Sequence, residues 1–189
     1  MPKVKQAPPQ DQEEAELAFL GRELLAWLLW RADTGDASFG ANGPTIAFGA
    51  RARVKGYAGD GTDVALKGGQ AAHAVAVRAA LGCGRTLREA ELTLFAGDKE
   101  WRFTLDADTL DLRSVRLPEA PREKRKKDDQ ADLKDEVLLS RLELLQKLED
   151  HIQAIYKEFM RERARPAWSS KTVPTFRDWL ADGLRVDRA

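Results

Sequence analysis

Between about residues 12 and 32, Leu17, Leu20, Leu24, Trp27, Leu28 and Arg31 recur at spacings of three and four. That is the repeat of an α-helix with one apolar stripe. Phe19 and Trp30 widen the stripe, so more than one face of this helix is expected to be buried. Asp11 is placed to cap it, and Glu13, Glu14 and Glu16 fall in the first turns, where the helix dipole favours negative charge. The DTGD sequence at 33–36, then Gly40, Gly43 and Pro44, end it.

From Thr45 to Tyr57 the period changes to two. Ile46, Phe48, Ala50, Ala52 and Val54 share one parity and are expected on the core; Arg51, Arg53, Lys55 and Tyr57 share the other. Gly59, Asp60 and Gly61 suit a turn into a short strand at Asp63–Leu66. The Ala-rich run Gln70–Leu81 reads as a second helix, stopped by Gly82 and Gly84. Three further strand patterns follow: Ala90–Phe95, Trp101–Leu105 and Leu110–Leu117. AGD at 96–98 and DADT at 106–109 supply their turns, which predicts an antiparallel meander. Val115 and Leu117 change parity relative to Leu112, which marks a bulge or a strand end.

Residues 118–136 hold six basic and seven acidic residues and read as a solvated linker, including the run Lys124–Lys127. Beyond them Leu138, Leu142, Leu145, Leu148, Ile152, Ile155 and Phe159 keep a three-four rhythm for about six turns. Leu144 and Tyr156 form a thin second row. Arg161, Arg163 and Arg165 close this long helix before Pro166. A short helix over Thr175–Leu184 presents Phe176, Trp179 and Leu180, and Trp168 and Trp179 can dock the tail onto the body. The expected fold is α+β: an antiparallel sheet of about five strands flanked by helices, with a long C-terminal amphipathic helix. The expected division is a disordered lead-in over 1–11, an α+β domain over 12–117, a charged linker over 118–131 and a helical region over 132–189.

Composition removes several functions. The single cysteine, Cys83, excludes an intramolecular disulfide, and with His73 and His151 the only histidines a His-rich zinc centre is out of reach. The N-terminal stretch has no apolar signal core, and the longest apolar run, Leu24–Trp30, falls well short of the ~20 residues of a membrane span. A cytoplasmic protein with no membrane partner is expected. Glycines at 56, 59 and 61 fit no phosphate-binding fingerprint. Both histidines read as structural or solvated, Cys83 as a small buried residue, and the Asp106/Asp108 pair as turn chemistry. No catalytic set, metal site or cofactor is expected.

Charge is balanced overall, 31 Lys and Arg against 31 Asp and Glu, so only a local asymmetry can attract a polyanion. Thr45–Arg88 holds one: Arg51, Arg53, Lys55, Lys67, Arg78, Arg85 and Arg88 against Asp60 and Asp63. Arg51, Arg53 and Lys55 recur at about 7 Å along one strand face, close to the phosphate repeat of a nucleic-acid strand. The same cations equally suit a solvated sheet edge guarded against aggregation.

The segment from Val64, VALKGGQAAHAVAVRAALGCGRTLREAELTLF, followed by WRFTLDADTLDLRSVRLP, resembles the second half of the recombination-associated protein RdgC family. The shared order is a short strand with a basic/Gln end, a helix closing on glycine, and a meander with a DxxL-type turn. LGRELLAWLLWR resembles the family's preceding helix, and the long C-terminal helix has a counterpart, so the similarity spans roughly residues 17–163. It implies a non-catalytic protein that contacts duplex DNA with little sequence preference, as a homodimer, at the nucleoid. The family's Lys-Gln pair matches here at Gln70 alone; Gly69 is adjacent, and Lys67 supplies the charge two residues away. The family's N-terminal region, which helps close a ring, has no counterpart before Asp11, which implies a module that touches DNA without encircling it.

The expected DNA-contact residues are therefore Arg51, Arg53, Lys55, Lys67 and Gln70, with Arg85 and Arg88 flanking. The competing expectation is an interaction or scaffold protein without nucleic acid, whose long helix pairs with a second copy through Leu138, Leu142, Leu145, Leu148 and Ile152.

Overall fold

The computed structural model describes residues 23–40, 43–55, 63–67, 70–119 and 130–185. The expected lead-in over 1–11 and most of the charged linker, with Lys124–Lys127, lie outside them. In chain order the elements are a helix through 23–33 (α1), β1 Thr45–Lys55, β2 Asp63–Lys67, α2 Gln70–Gly82, β3 Thr86–Ala96, β4 Lys99–Asp106, β5 Leu112–Arg116, α3 Gln130–Arg163, a π-turn Trp168–Thr172 and α4 Val173–Arg185. The fold is α+β. Five strands form one antiparallel sheet in the order β2-β1-β3-β4-β5.

Alternation makes one face of that sheet apolar. Ile46, Phe48, Ala52 and Val54 on β1, Leu87, Ala90, Leu92 and Leu94 on β3, and Trp101, Phe103 and Leu105 on β4 are all buried. They share one core with Leu24, Leu25, Trp27, Leu28 and Leu29 of α1, Val77 of α2, Leu144, Leu148, Ile155 and Phe159 of α3, and Trp179 of α4. The long helix and the tail thus complete the same core as the strands, so the region beyond the linker is packed into the body.

Ala50 departs from the expected pattern and is exposed. The β1–β3 register shifts between Phe48 and Ala52; a bulge there turns two successive residues outward and returns Ala52 to the core. A further irregularity falls on β5, where Arg116 pairs with Arg102 but Arg113 with Thr104, and Ser114 has φ 52°. This accounts for the parity change read at Val115. Gly84 ends α2 at φ 79°, with the Gly84 N–H on Leu81 O and the Arg85 N–H on Ala80 O, a left-handed C-terminal cap that a side chain would strain.

α1 and α3 run in opposite directions. Glu23 pairs with Arg163, Trp27 Nε1 donates to Glu162 Oε2 at 2.8 Å, and Arg31 reaches Glu158 at 2.9 Å. Arg31 is buried over the rings of Trp27 and Phe39, and donates to the carbonyls of Asp36 and Ser38. Burial works to lower its pKa, but the bonds to Asp36 and Glu158 outweigh it and hold the guanidinium above its ordinary value. One permanently charged side chain thereby ties α1, the 33–40 turn and α3 together.

Candidate interaction surfaces

The apolar repeat of α3 divides in two. Leu148, Ile155 and Phe159 are buried, as is Leu144 from the thinner row, and Ile152 packs partly against the core. The N-terminal half behaves differently: Val137, Leu138, Leu139, Leu142 and Leu145 are 47, 56, 60, 52 and 41% exposed. At 34 residues α3 is about 51 Å long, against about 30 Å for a small domain. The helix therefore outruns the sheet. Of the expected pairing residues, Leu138, Leu142 and Leu145 are available to a partner; Leu148 and Ile152 are not, because their own core covers them. Val137 and Leu139 join the surface, their exposure depending on where the body stops, which periodicity does not encode.

The sheet face opposite the core carries the expected DNA-contact residues in part. Arg51 and Arg53 are exposed on β1, and the register sets Lys67 across from Arg51 and Lys55 across from Asp63. The side chains of Lys55, Lys67 and Gln70 lie outside the described residues. Arg88 sits by the β4–β5 turn, 3.2 Å from Asp108, and Arg85 is half-buried after α2. Arg78, part of the same basic window, faces inward: it donates to Trp179 O at 2.6 Å, lies over that indole and pairs with Asp33.

Acids interrupt this face. Arg53 on one side and Arg113 on the other both lie 3.8 Å from Glu89, and Arg113 also holds Asp106 at 3.0 Å. The register continues the face to Arg102 on β4, paired with Glu100, and to Arg116 directly opposite Arg102 on β5. The result is mixed sign across β1, β3, β4 and β5 rather than an unbroken positive track. Arg102 is legible as the solvent parity of Trp101–Leu105; Arg116 is hidden by the β5 bulge.

The remaining candidates for chemistry resolve as structure. Asp106 Oδ1 accepts the N–H groups of Asp108 and Thr109, so this carboxylate organises the turn read there. His151 is half-buried, edge-on to Trp101 at 5.8 Å. Cys83 is exposed, contrary to the buried role expected of it, because the glycine cap of α2 lies at the surface. The side chain of His73 lies outside the described residues. Among the described residues no group of three or more His, Cys, Asp or Glu is placed to hold a metal ion, and no helix is long and apolar enough to cross a membrane. No protein-family model matches the sequence, and no curated protein matches it.

Proposed function

We propose that this protein is a non-catalytic assembly protein that self-associates through the N-terminal half of α3. The observation that carries this reading is the concentration of exposed leucine there: of the large hydrophobic side chains exposed among the described residues, all but Phe95 lie between Val137 and Leu145. Contiguous apolar surface of this kind marks an interaction site. Leu138, Leu142 and Leu145 follow the four-three spacing of a coiled-coil seam, and a two-fold pair buries the same patch on both copies. Light scattering over a concentration series tests it. The full chain is expected to reach twice its monomer mass by ~100 µM, and Leu142→Glu to remain a monomer. A wild-type chain that is monomeric throughout contradicts the reading.

A second reading is favoured by one arrangement on the sheet. Arg102 directly faces Arg116, and like charges so placed repel unless anions lie beside them; Glu100 answers Arg102, and a further anion would answer the exposed Arg116. A nucleic-acid backbone offers such anions, and the resemblance to the RdgC family supports DNA, bound at the nucleoid in the cytoplasm. Arg51, Arg53, Arg102 and Arg116 would then carry phosphate contacts, with Lys55, Lys67 and Gln70 beside them and Arg85 and Arg88 flanking. The acids on this face weigh against strong binding. Duplex retention that falls steeply with salt, by about 0.9 in log–log slope per phosphate contact, supports this reading; no retention at ~50 mM salt removes it.

A further inference from the structure

We propose that the groove between α1, the C-terminal end of α3 and the π-turn binds a small planar organic anion, in the simplest case an aromatic carboxylate. This site is independent of the leucine surface. Its volume is about 360 Å³, within the range of ligand-sized clefts. Trp30 and Trp168 supply aromatic surface, Arg165 and Lys171 supply positive charge, and Thr172 and Glu162 lie beside them.

The sequence builds this place by stopping α3 abruptly. After Arg163 the N–H groups of Ala164 and Arg165 still turn back to Met160 O and Glu162 O, and Trp168 N–H reaches Arg165 O. The chain then widens into the five-residue π-turn before α4, a local geometry often found at functional sites. Both indoles are held in advance. Trp168 packs edge-on against Phe159 at 5.9 Å and Trp30 against Phe176 at 6.1 Å. A ring entering between such groups orders little that is not already ordered.

The indole N–H groups single out Trp30. Trp27 donates to Glu162, Trp101 to Leu144 O and Trp179 to Asp33. Trp30 Nε1 is the buried side-chain polar atom without a hydrogen-bond partner among the described residues. An orphaned donor of this kind costs free energy that an acceptor recovers. Trp30 also lines the groove, so an occupant that brings an acceptor to this ring would recover that cost. The sign of the charge follows from the lining. Glu162 already accepts from Trp27, whereas Arg165 and Lys171 are exposed at the rim. The groove therefore favours an anion over a cation.

Proton–nitrogen correlation spectra of the full chain test the site, with 1-naphthoate as the probe up to ~10 mM. Trp30→Phe identifies the Trp30 indole signal, and Trp168→Phe identifies its neighbour should the first variant fail to fold. The Trp30 signal, or that of Trp168 if only the latter can be assigned, is expected to move and saturate. The Arg165→Ala/Lys171→Ala variant is expected to bind about tenfold more weakly, with other signals unchanged. The proposal is overturned if the assigned indole signal is unmoved at the highest concentration. Equal binding of the neutral naphthamide, or tighter binding of phenyltrimethylammonium, overturns it as well.

Discussion

Trp101 on β4 donates its indole N–H to the main-chain carbonyl of Leu144 on α3, at 3.1 Å. The bond fixes the level at which the long helix meets the sheet. On its C-terminal side Leu148, Ile155 and Phe159 point into the core; on its N-terminal side Val137, Leu138, Leu139 and Leu142 are exposed. The boundary between stabilising the fold and meeting a partner thus runs through a single turn of α3.

Replacing Trp101 by Phe keeps most of the ring and removes this donor. Leu144 O still has its helical partner, so no acceptor is orphaned. The expected loss is about 1–2 kcal/mol, read as a lower denaturant midpoint with an unchanged slope.

The two halves of α3 are expected to respond oppositely to substitution. Leu148→Ala should cost about 2–5 kcal/mol, because it opens a cavity in the shared core. Leu142→Glu should leave the stability of the isolated monomer within about 0.5 kcal/mol. Chemical denaturation at low protein concentration separates them; equal losses would place Leu142 in the core.

Much of this fold is legible in the sequence. The three-four rhythm of Leu24–Arg31 and the parity of Ile46, Phe48, Ala52 and Val54 report burial directly, because each places a row of side chains on one surface. The division of α3 is not legible. Leu142 and Leu148 have equivalent local patterns, and only the reach of the sheet distinguishes them. The charged face is likewise half-legible: Arg51 and Arg53 show in the alternation, but Glu89, which lies beside Arg53, comes from a strand distant in sequence. A count along the chain therefore overstates the positive field in space.

Arg31 is expected to dominate the stability of the α1–α3 contact. Arg31→Met leaves Glu158 and the carbonyls of Asp36 and Ser38 without their shared donor, at a cost of about 3–5 kcal/mol. Lysine should rescue little of it, having no planar fork to serve those acceptors. Thermal and denaturant unfolding of the three proteins decide this, and a fully stable Lys variant would show that charge alone matters.

Arg53→Ala should change stability by less than about 0.5 kcal/mol, since Arg53 is exposed and its contact with Glu89 is long. A folded Arg51→Ala/Arg53→Ala/Arg102→Ala/Arg116→Ala variant therefore isolates binding from stability. If duplex is retained by the wild type, the variant's log–log salt slope should fall by up to about 3.6. An unchanged slope would place any DNA contact elsewhere.

Hydrogen exchange measured at low and at high protein concentration tests the self-association of α3 most directly. Backbone amides over 135–146 are expected to slow as concentration rises, while those of β3 and β4 stay constant, and Leu142→Glu should abolish the difference. Exchange over 135–146 that is identical at both concentrations would contradict it.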